Sequence, residues 1–514
     1  MKNHKFIVPL FLLILVFIQN IYTQNVTRIE LNARMNEDTY KLIPCGKMGV
    51  VVFYCGTLLE DNNDYRKWHF ALFNDKLEEV WINESDLIDK MEYFNYDLLA
   101  DDLYLYFYDS GKNKPDQPEF QILKISLQGC KFSLVEGHLQ ERSVPTDFKV
   151  VDNKAIVGLK YKKYEVELCF IDLKDGTTHL APIEIQSQNL ISGIFPDTSG
   201  HLVYVVINNF IAKEQNAVYY ATFTMDGIMT NMVEIKPVLD NKYLNTAEVV
   251  FYNNSLYILG NYSVYKNKIP EEGINAFAES AGFYISKFQN SKQEFINFYN
   301  FLEFENLYSS MNGRDIMKIR QKAEKQKKKR SEYSLNYDLL VHPVIMKNDQ
   351  FILLAEAFYP EYRTVTDMYY DYYGRLMPQT YTVFDGYKYF NGIVASFDPE
   401  GNLVWENDIE IWNILTFDLD KYVHAYFADD DLVLFYYREG KINYKVIDQN
   451  DIEDADQINI ETKYSKDKVI EEAGSNMICW YDHYFICYGY QEIRNNSIPN
   501  SKRTVFYVNK VAFQ

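Results

Sequence analysis

The feature that most constrains the fold is a hairpin unit that recurs along the whole chain. Each unit opens with a β-rich strand, a turn of Asn, Asp or Gly and a second apolar strand, as at 147–161 and 247–263. A second hairpin follows after a variable loop, as at 165–180 and 282–298. Tight turns between paired strands need these turn residues. The repeat predicts an all-β fold, a single β-propeller of about eight four-stranded blades.

Two alternatives to this architecture stay open. A tandem of β-sandwiches would also use such hairpins, although it explains the even spacing of the units less well. A ring of seven blades would leave the first unit, whose hairpin at 47–58 is degenerate, as a cap. The last unit ends after the strand at 503–514, and the alternating segment 26–35 is expected to supply its missing outer strand.

The N-terminal residues have the pattern of a secretory signal peptide. Lys2 and Lys5 precede the apolar run 6–18, which is shorter than the ~20 residues that a membrane helix needs. We therefore predict a signal peptide over 1–23 and a propeller over 24–514. The protein is expected to be exported, whether periplasmic, in the cell envelope or extracellular, with an uncleaved N-terminal anchor as the alternative.

The charge of the chain narrows the choice of partners. There are 52 Lys and Arg against 72 Asp and Glu, which gives a net charge of −20. Loss of residues 1–23 would remove Lys2 and Lys5 and no acid, so the charge would move from −20 to −22. Nucleic acid is excluded as a general partner, because phosphate binding needs a basic surface.

Six cysteines are few for a chain of 514 residues, so disulfides are not its main scaffold. Cys479 and Cys487 lie symmetrically about His483, and a tight hairpin at that point would place the two cysteines opposite each other. The sequence therefore allows one disulfide between them, with free thiols as the alternative.

A basic insertion at 309–334 interrupts the repeat. From Arg314 to Arg330 there are nine Lys or Arg and two acids, and the good helix formers among them predict a helical arm. The arm could be solvated, could dock an acidic partner or anionic lipid through 314–330, or could fold back on the acidic face of the protein. Its candidate contact residues are Lys322, Lys325, Lys327, Lys328, Lys329 and Arg330.

A second insertion, rich in tyrosine, is predicted as a long loop over 360–389. The stretch 358–390 has nine tyrosines in thirty-three positions, and tyrosine offers a large contact area at little cost in side-chain entropy. The loop could bind a partner, or its tyrosines could hold it onto the propeller face. The candidate binding residues are Tyr362, Tyr369, Tyr370, Tyr372, Tyr373, Arg375, Tyr381 and Tyr387.

No motif points to catalysis. The sequence has no HExxH, G-x-S-x-G, P-loop or CxxC spacing, and we predict no metal, no cofactor and no catalytic residue. His342 and His424 each precede an aspartate by seven residues at a first-hairpin turn. The pair is predicted to lie near one mouth of the channel in adjacent blades, with two unrelated packed histidines as the alternative.

Two short stretches resemble known propeller repeats. IVASFDPEGNLVW (393–405) is similar to the repeat of pyrroloquinoline-quinone-type propellers, and YNNSLYILGNY (252–262) resembles kelch-type repeats. Both resemblances cover single hairpins and imply fold alone. The quinone enzymes of that family use a pair of adjacent cysteines, and no two cysteines are adjacent in this chain. Exported, non-enzymatic members that help assemble the outer membrane are similar to it in repeat style and compartment.

These observations favour a non-enzymatic β-propeller that serves as an interaction or assembly platform in the cell envelope. Its expected partner is an envelope protein or a glycan. The alternative is a propeller that binds or cleaves carbohydrate through the tyrosine-rich loop and the carboxylates of the channel. The sequence predicts nothing about oligomeric state.

Overall fold

The structure is a computed structural model that describes most of the chain. The described residues are 27–35, 39–58, 64–110, 118–139, 141–162, 165–197, 200–237, 241–266, 280–307, 313–328, 338–448, 456–498 and 501–512. The predicted signal peptide lies outside them, as do Lys329 and Arg330 of the basic insertion. Of the side chain of Lys327 nothing is described.

Eight antiparallel sheets, which we call blades 1 to 8, follow one another along the chain. Each is built from four successive strand positions, which confirms the all-β propeller prediction and the count of eight. The strands of blades 1 to 4 are β2 (Lys41–Pro44), β3 (Val50–Leu58), β4 (Tyr65–Phe73) and β5 (Glu79–Ile88); β6 (Met91–Leu99), β7 (Asp102–Asp109), β8 (Glu119–Ser126) and β9 (Lys131–His138); β10 (Val144–Val151), β11 (Lys154–Lys160), β12 (Val166–Asp172) and β13 (Thr178–Pro182); and β14 (Gln188–Asp197), β15 (Leu202–Ile211), β16 (Glu214–Thr224) and β17 (Met229–Glu234).

In blades 5 and 6 the first strand is divided into two short segments, and in blade 8 the fourth strand is β1 from the start of the chain. The strands of blades 5 to 8 are β18 (Tyr243–Leu244), β19 (Glu248–Tyr252), β20 (Ser255–Ser263), β21 (Gly282–Gln289) and β22 (Lys292–Asn300); β23 (Asp338–Val341), β24 (Ile345–Lys347), β25 (Gln350–Tyr370), β26 (Leu376–Phe397), β27 (Leu403–Glu410) and the short β28 (Leu415–Thr416); β29 (His424–Ala428), β30 (Asp431–Arg438), β31 (Lys441–Ile447) and β32 (Asp456–Asn459); and β33 (Asp467–Tyr481), β34 (Tyr484–Asn495), β35 (Arg503–Ala512) and β1 (Thr27–Asn32).

The first strands of successive blades touch one another and therefore surround the axis of the ring. Contacts join β6 to β10, β10 to β14, β14 to β19, and β33 back to β2. Side chains that point inward from these strands line the central channel.

The hydrophobic core consists of eight clusters, one at each junction between neighbouring blades. The cluster around Leu105 joins blades 1 and 2, for example, and the cluster around Phe485 joins blades 7 and 8. An eighth cluster around Val508 joins blade 8 to blade 1. Because every blade packs against two neighbours, the ring is closed, and a tandem of sandwiches is ruled out.

Strand β1 closes the ring as predicted. It pairs antiparallel with β35 in a register that sets Thr27 opposite Lys510 and Asn32 opposite Val505. A buried ion network fastens this pairing: Arg503 contacts Glu30 at 3.0 Å and Asp467 at 2.6 Å, and Glu30 also contacts Arg28 at 2.9 Å. The network joins the innermost strand β33, the third strand β35 and the outermost strand β1 of blade 8.

The helical content is small. The basic insertion forms α1 (Gly313–Lys328), which confirms the predicted helix, and two single 3₁₀ turns lie at Gly46–Met48 and Phe301–Glu303. Among the described residues, no helix combines the length and the apolar composition that a bilayer crossing requires.

Candidate functional site

The tyrosine-rich insertion is a β-ribbon, so the prediction of a loop over 360–389 was wrong. Strands β25 and β26 run on past the body of blade 6 and stay paired out to Tyr370 and Leu376. From Tyr362 to Tyr370 the ribbon measures roughly 26 Å at the usual rise per residue of a strand. We call residues 361–388 the β-arm.

The tip of the β-arm is held by its own hydrogen bonds. Asp371 accepts the backbone N–H groups of Tyr373 and Arg375, each at 2.9 Å, and its carboxylate forms an ion pair with the Arg375 guanidinium. Gly374 adopts φ +71°, which only glycine takes without strain. The Arg375 guanidinium lies 5.4 Å from the centre of the Tyr373 ring. This turn is ordered without help from the propeller body.

The tip tyrosines face solvent. Tyr370 is 73 %, Tyr372 is 96 % and Tyr373 is 78 % exposed, and Tyr369 is about half exposed. The alternative in which these tyrosines hold the insertion onto the propeller face is therefore wrong for the tip.

At the base of the β-arm the aromatic residues do pack. Tyr387 is buried against Phe358 and Phe384, so it anchors the β-arm and offers no binding surface, contrary to its prediction as a binding residue. Tyr362 packs one edge on Phe384 and remains half exposed. Gly386 forms part of a bulge at φ +135°, where an added Cβ would lie 2.9 Å from the Thr416 carbonyl. Such a bulge bends the strand that contains it, here at the base of the β-arm.

Every charged side chain of the β-arm has a partner within the β-arm. These contacts are Arg363 with Asp385, Arg375 with Asp371, Lys388 with Glu361, and the Tyr381 hydroxyl with Asp367. The β-arm therefore presents aromatic rings, methionines and hydroxyls, and its three cations against four anions leave a net charge of −1.

The channel holds a second group of titratable residues, on blades 5 to 8. Glu356 of β25 is fully buried and accepts the backbone N–H groups of Tyr422 and Val423 at 2.8 and 2.9 Å, which ties blade 6 to blade 7. The His342 Nε2 atom lies 2.7 Å from the same carboxyl group. Burial raises the pKa of Glu356 to about 8 and lowers the pKa of His342 to about 3.

Lys421 lies between two glutamates of the channel wall. Burial lowers its pKa, and the charges of Glu248 and Glu356 oppose that shift. Burial also raises the pKa of Glu248 to about 7. The sequence analysis missed all three residues, although Glu356 is a lone acid inside the apolar run 351–358 and could have been found by that contrast.

His424 lies close enough to His342 for the charge of His342 to lower the pKa of His424, which burial brings to about 4. The His424 Nδ1 atom is 3.6 Å from the Cys479 thiol. Among the described residues, no three His, Cys, Asp or Glu side chains gather closely enough to hold a metal ion. With pKa values lowered to about 3 and 4, both histidines are neutral at pH 7, and they lie in the adjacent blades 6 and 7.

The Cys479–Cys487 disulfide is not formed, and all six cysteines are free thiols. The hairpin at His483 contains a bulge, so Cys479 lies opposite Phe485 and Cys487 lies opposite Met477. Symmetry about the turn therefore did not place the two cysteines across from each other. Cys487 is buried between blades 7 and 8, whereas Cys479 is exposed.

The basic helix exposes the lysines whose side chains are described. Lys322, Lys325 and Lys328 of α1 all face solvent. The helix and the β-arm belong to two separate insertions of the chain.

Comparisons with known proteins give no family. No family model matches the chain, and no curated protein matches its sequence. Solved structures are similar at low scores. The polysaccharide lyase Uly1 is 9 % identical with a TM-score of 0.41, covering 82 % of this chain and 89 % of the lyase.

Two further solved structures show the same distant likeness. The β-propeller domain of the Trilobed protease from Pyrococcus furiosus, described as having an open velcro topology, is 10 % identical with a TM-score of 0.35 over 81 % of this chain and 98 % of that domain. The dihydro-heme d1 dehydrogenase NirN is 8 % identical with a TM-score of 0.42, and the match covers 95 % of this chain and 79 % of that chain. Such values carry no argument about activity.

Proposed function

We propose that this protein is an exported β-propeller that acts as an interaction platform in the cell envelope, and that the β-arm docks another protein. The observation that carries the proposal is the exposure of Tyr369, Tyr370, Tyr372 and Tyr373 on a projecting ribbon whose charged side chains all have partners within the ribbon. Solvent-exposed aromatic clusters are rare on monomers unless they contact something.

The chemistry of the β-arm favours a protein surface as its partner. Side chains directly opposite each other in the ribbon share a face, so Tyr369, Met377 and Tyr381 form one patch and Met368 and Tyr370 form part of the other. Tyrosine and methionine are enriched in the centres of protein interfaces, where charged residues are depleted. An aromatic ribbon with a net charge of only −1 fits a neutral, partly apolar groove.

The structure lends less support to carbohydrate cleavage at the β-arm. The clefts at Asn253, Lys347 and Lys242 are lined by other parts of the propeller, and none of their described lining residues belongs to the β-arm. The raised pKa of Glu356 arises in a fully buried group whose carboxyl oxygens already accept backbone N–H groups. That carboxyl group is a structural tie between blades.

A site-specific crosslink tests the proposal. A photoreactive amino acid would replace Tyr372 in one variant and Tyr464, an exposed tyrosine in the segment between β32 and β33, in the control. We expect the Tyr372 variant to crosslink one envelope protein in stoichiometric yield and the control to crosslink none. A protein recovered only from the cytoplasm would contradict the proposed export.

Binding of the purified partner then measures the contribution of the tyrosines. Changing Tyr369, Tyr370, Tyr372 and Tyr373 to Ser should weaken binding at least ~tenfold, as expected for interface anchors. Added salt should change the affinity little, because the β-arm carries a net charge of only −1. A second variant, with 363–383 replaced by an Asn-Gly turn, should fold normally and not bind. Unchanged affinity of the Ser variant would refute the role of the β-arm.

A further inference from the structure

A cleft between blades 4 and 5 lies on the face of the ring opposite the β-arm. Consecutive strands of a blade run antiparallel, so the turn between the first and second strands and the turn between the second and third strands lie on opposite faces. The β-arm extends the second type of turn, whereas Asn253 and Asn254 form the first type in blade 5 and border the cleft. Its volume is about 530 Å³, within the range of small-molecule sites.

The lining of this cleft is aromatic and uncharged on almost every side. Of sixteen described lining residues, five are aromatic, four are asparagines, four are Ser or Thr and two are Leu; Asp197 is the one acid, and none is Lys, Arg or His. A lining with a single charged residue is unusual for a chain with a net charge of −20. The five aromatic residues are Tyr204, Tyr220, Phe251, Tyr252 and Phe288.

Phe251 supplies an open aromatic platform. Its ring is 37 % exposed, and the Tyr204 ring supports it at 4.8 Å between centroids in an edge-to-face arrangement. Because Tyr204 holds the ring in place, Phe251 can offer a face to a ligand without losing side-chain freedom on binding.

The turn conformation explains only part of the asparagine content. Asn253, Asn254 and Asn290 have φ of 47°, 58° and 49°, a backbone state that Asn, Asp and Gly all tolerate. The equivalent first-hairpin turns of blades 2, 3, 6, 7 and 8 each include an aspartate, at positions 101, 152, 349, 429–430 and 482. Blade 5 uses two amides where an acid would serve the turn equally well.

The corresponding cleft between blades 6 and 7 has a different chemistry. It has a volume of about 240 Å³, and its lining includes Lys347, Glu406, Asp430 and Asp448. Phe427 of blade 7 occupies the same position relative to its turn as Phe251 in blade 5. The Lys347 Nζ atom lies 5.4 Å from the centre of the Phe427 ring. The same architecture therefore carries a charged cleft at one junction and a neutral one at another.

We propose that the cleft between blades 4 and 5 binds an uncharged saccharide. The face of Phe251 would pack on the C–H face of a sugar ring, and the amides of Asn254 and Asn290 would pair with sugar hydroxyls as both donors and acceptors. A ligand without ionised groups suits a lining without cations. This site is independent of protein docking by the β-arm.

The first experiment uses the whole protein on an array of neutral gluco-, xylo-, manno- and galacto-oligosaccharides, with sulfated and uronic-acid oligosaccharides beside them. Isothermal titration calorimetry with the strongest neutral binder then compares variants. Phe251→Ala should weaken binding roughly tenfold. Asn254→Gly keeps the positive φ, removes the amide, and should weaken binding several-fold. The matched control, Phe427→Ala, changes the charged cleft and should leave the affinity unchanged.

Each result decides for or against the saccharide site. Selective binding of a neutral oligosaccharide, lost in Phe251→Ala and kept in Phe427→Ala, supports it. No neutral binder on the array, a preference for acidic oligosaccharides, or unchanged affinity in both Phe251→Ala and Asn254→Gly overturns it. Loss of binding on removal of the β-arm would also overturn it, since the sugar would then lie on the opposite face.

Discussion

At the scale of single residues, Glu356 shows how a buried acid holds two blades together. Its carboxyl group accepts N–H groups from Tyr422 and Val423, which begin blade 7, while its own strand belongs to blade 6. Asp97 and Asp147 do the same elsewhere, accepting the N–H groups of Val150 and Ile194 from the following blades. Carboxyl groups on inner strands thus satisfy backbone donors that no sheet partner reaches.

The raised pKa of Glu356 predicts a pH-dependent stability. Its folded-state pKa of about 8 exceeds its ordinary 4.5, so folding takes up a proton and this contribution is lost as the pH rises from 4.5 to 8. His342 and His424, with pKa values lowered to about 3 and 4, contribute stability that is complete above pH 6.5. Between pH 6.5 and 8 the contribution of the glutamate to the unfolding free energy changes, whereas the contributions of the two histidines stay constant.

We therefore expect Glu356→Gln to flatten the fall in unfolding free energy between pH 6.5 and 8, measured by urea denaturation at both values. The amide keeps one acceptor oxygen for the backbone donors and does not ionise. The charges of Asp420 and Lys421 also act on Glu356, and both residues are present in the wild type and in Glu356→Gln alike. Glu471→Gln, at an exposed position, should keep the wild-type slope. An equal fall in wild type and Glu356→Gln would show that Glu356 does not titrate in this window.

Residue type alone identified the tip tyrosines but not Glu356 or Lys421. Nine tyrosines close together are visible in the sequence, and the four at the tip of the β-arm are exposed. The neighbours of Glu356 are fourteen positions away at His342 and sixty-six at Tyr422. Such proximity is set by the ring, and no local pattern contains it.

At the scale of elements, the β-arm corrects the sequence analysis most clearly. Its strands carry Thr and Val on one side of the tip and Thr, Tyr and Val on the other, all residues that favour extended pairing. The prediction of a loop weighed the richness in tyrosine and gave no weight to this alternation. The tight turn at Asp371–Arg375 was also readable from its Asp and Gly.

The helix α1 is an element whose predicted contact remains a proposal. Its exposed Lys322, Lys325 and Lys328 would attract an anionic surface even though the whole protein is acidic, because charges beyond about 10 Å are screened. We expect weak co-sedimentation with vesicles of anionic lipid at low salt and a loss of most of it when the three lysines become Ala.

The matched control for α1 replaces Lys174, Lys292 and Lys466, three exposed lysines on other elements, with Ala. It removes the same charge from the protein and should leave sedimentation unchanged. Sedimentation that is insensitive to salt, or equal for both triple variants, would remove lipid as the partner of the helix. An acidic protein partner, a solvated arm and contact with the protein's own acidic face would then remain.

At the scale of the whole molecule, stability depends on the closure between β1 and β35. Eight separate cores each join two blades, so one open junction would leave two sheet edges and part of the cluster around Val508 in water. A repeat count and a spare strand at each end of the sequence were enough to predict this closure. The ion network that fastens it was not predictable, since Arg503 and Glu30 are 473 positions apart.

Removing one partner from this network should be costly. Glu30→Ala takes the carboxylate partner from the buried Arg28 side chain and leaves Arg503 paired with Asp467, and we expect a loss of about 3 kcal/mol in unfolding free energy. A variant lacking 24–36 should lose more. Glu79→Ala, exposed on the outer strand of blade 1, should change it by less than about 0.5 kcal/mol. Urea unfolding measures all three, and an equal effect of Glu30→Ala and Glu79→Ala would refute the network's importance.

The pairing of β1 with β35 also sets the order in which the molecule can be completed. The strand β1 is synthesised before any blade exists. It pairs with β35, which is among the last strands to be made. Until then β1 must wait unpaired while seven blades form beside one another, and pairs this distant in sequence form slowly. During that interval the growing chain is an open arc with two exposed ends. A partner that shields those ends would act on the nascent protein before any finished propeller exists.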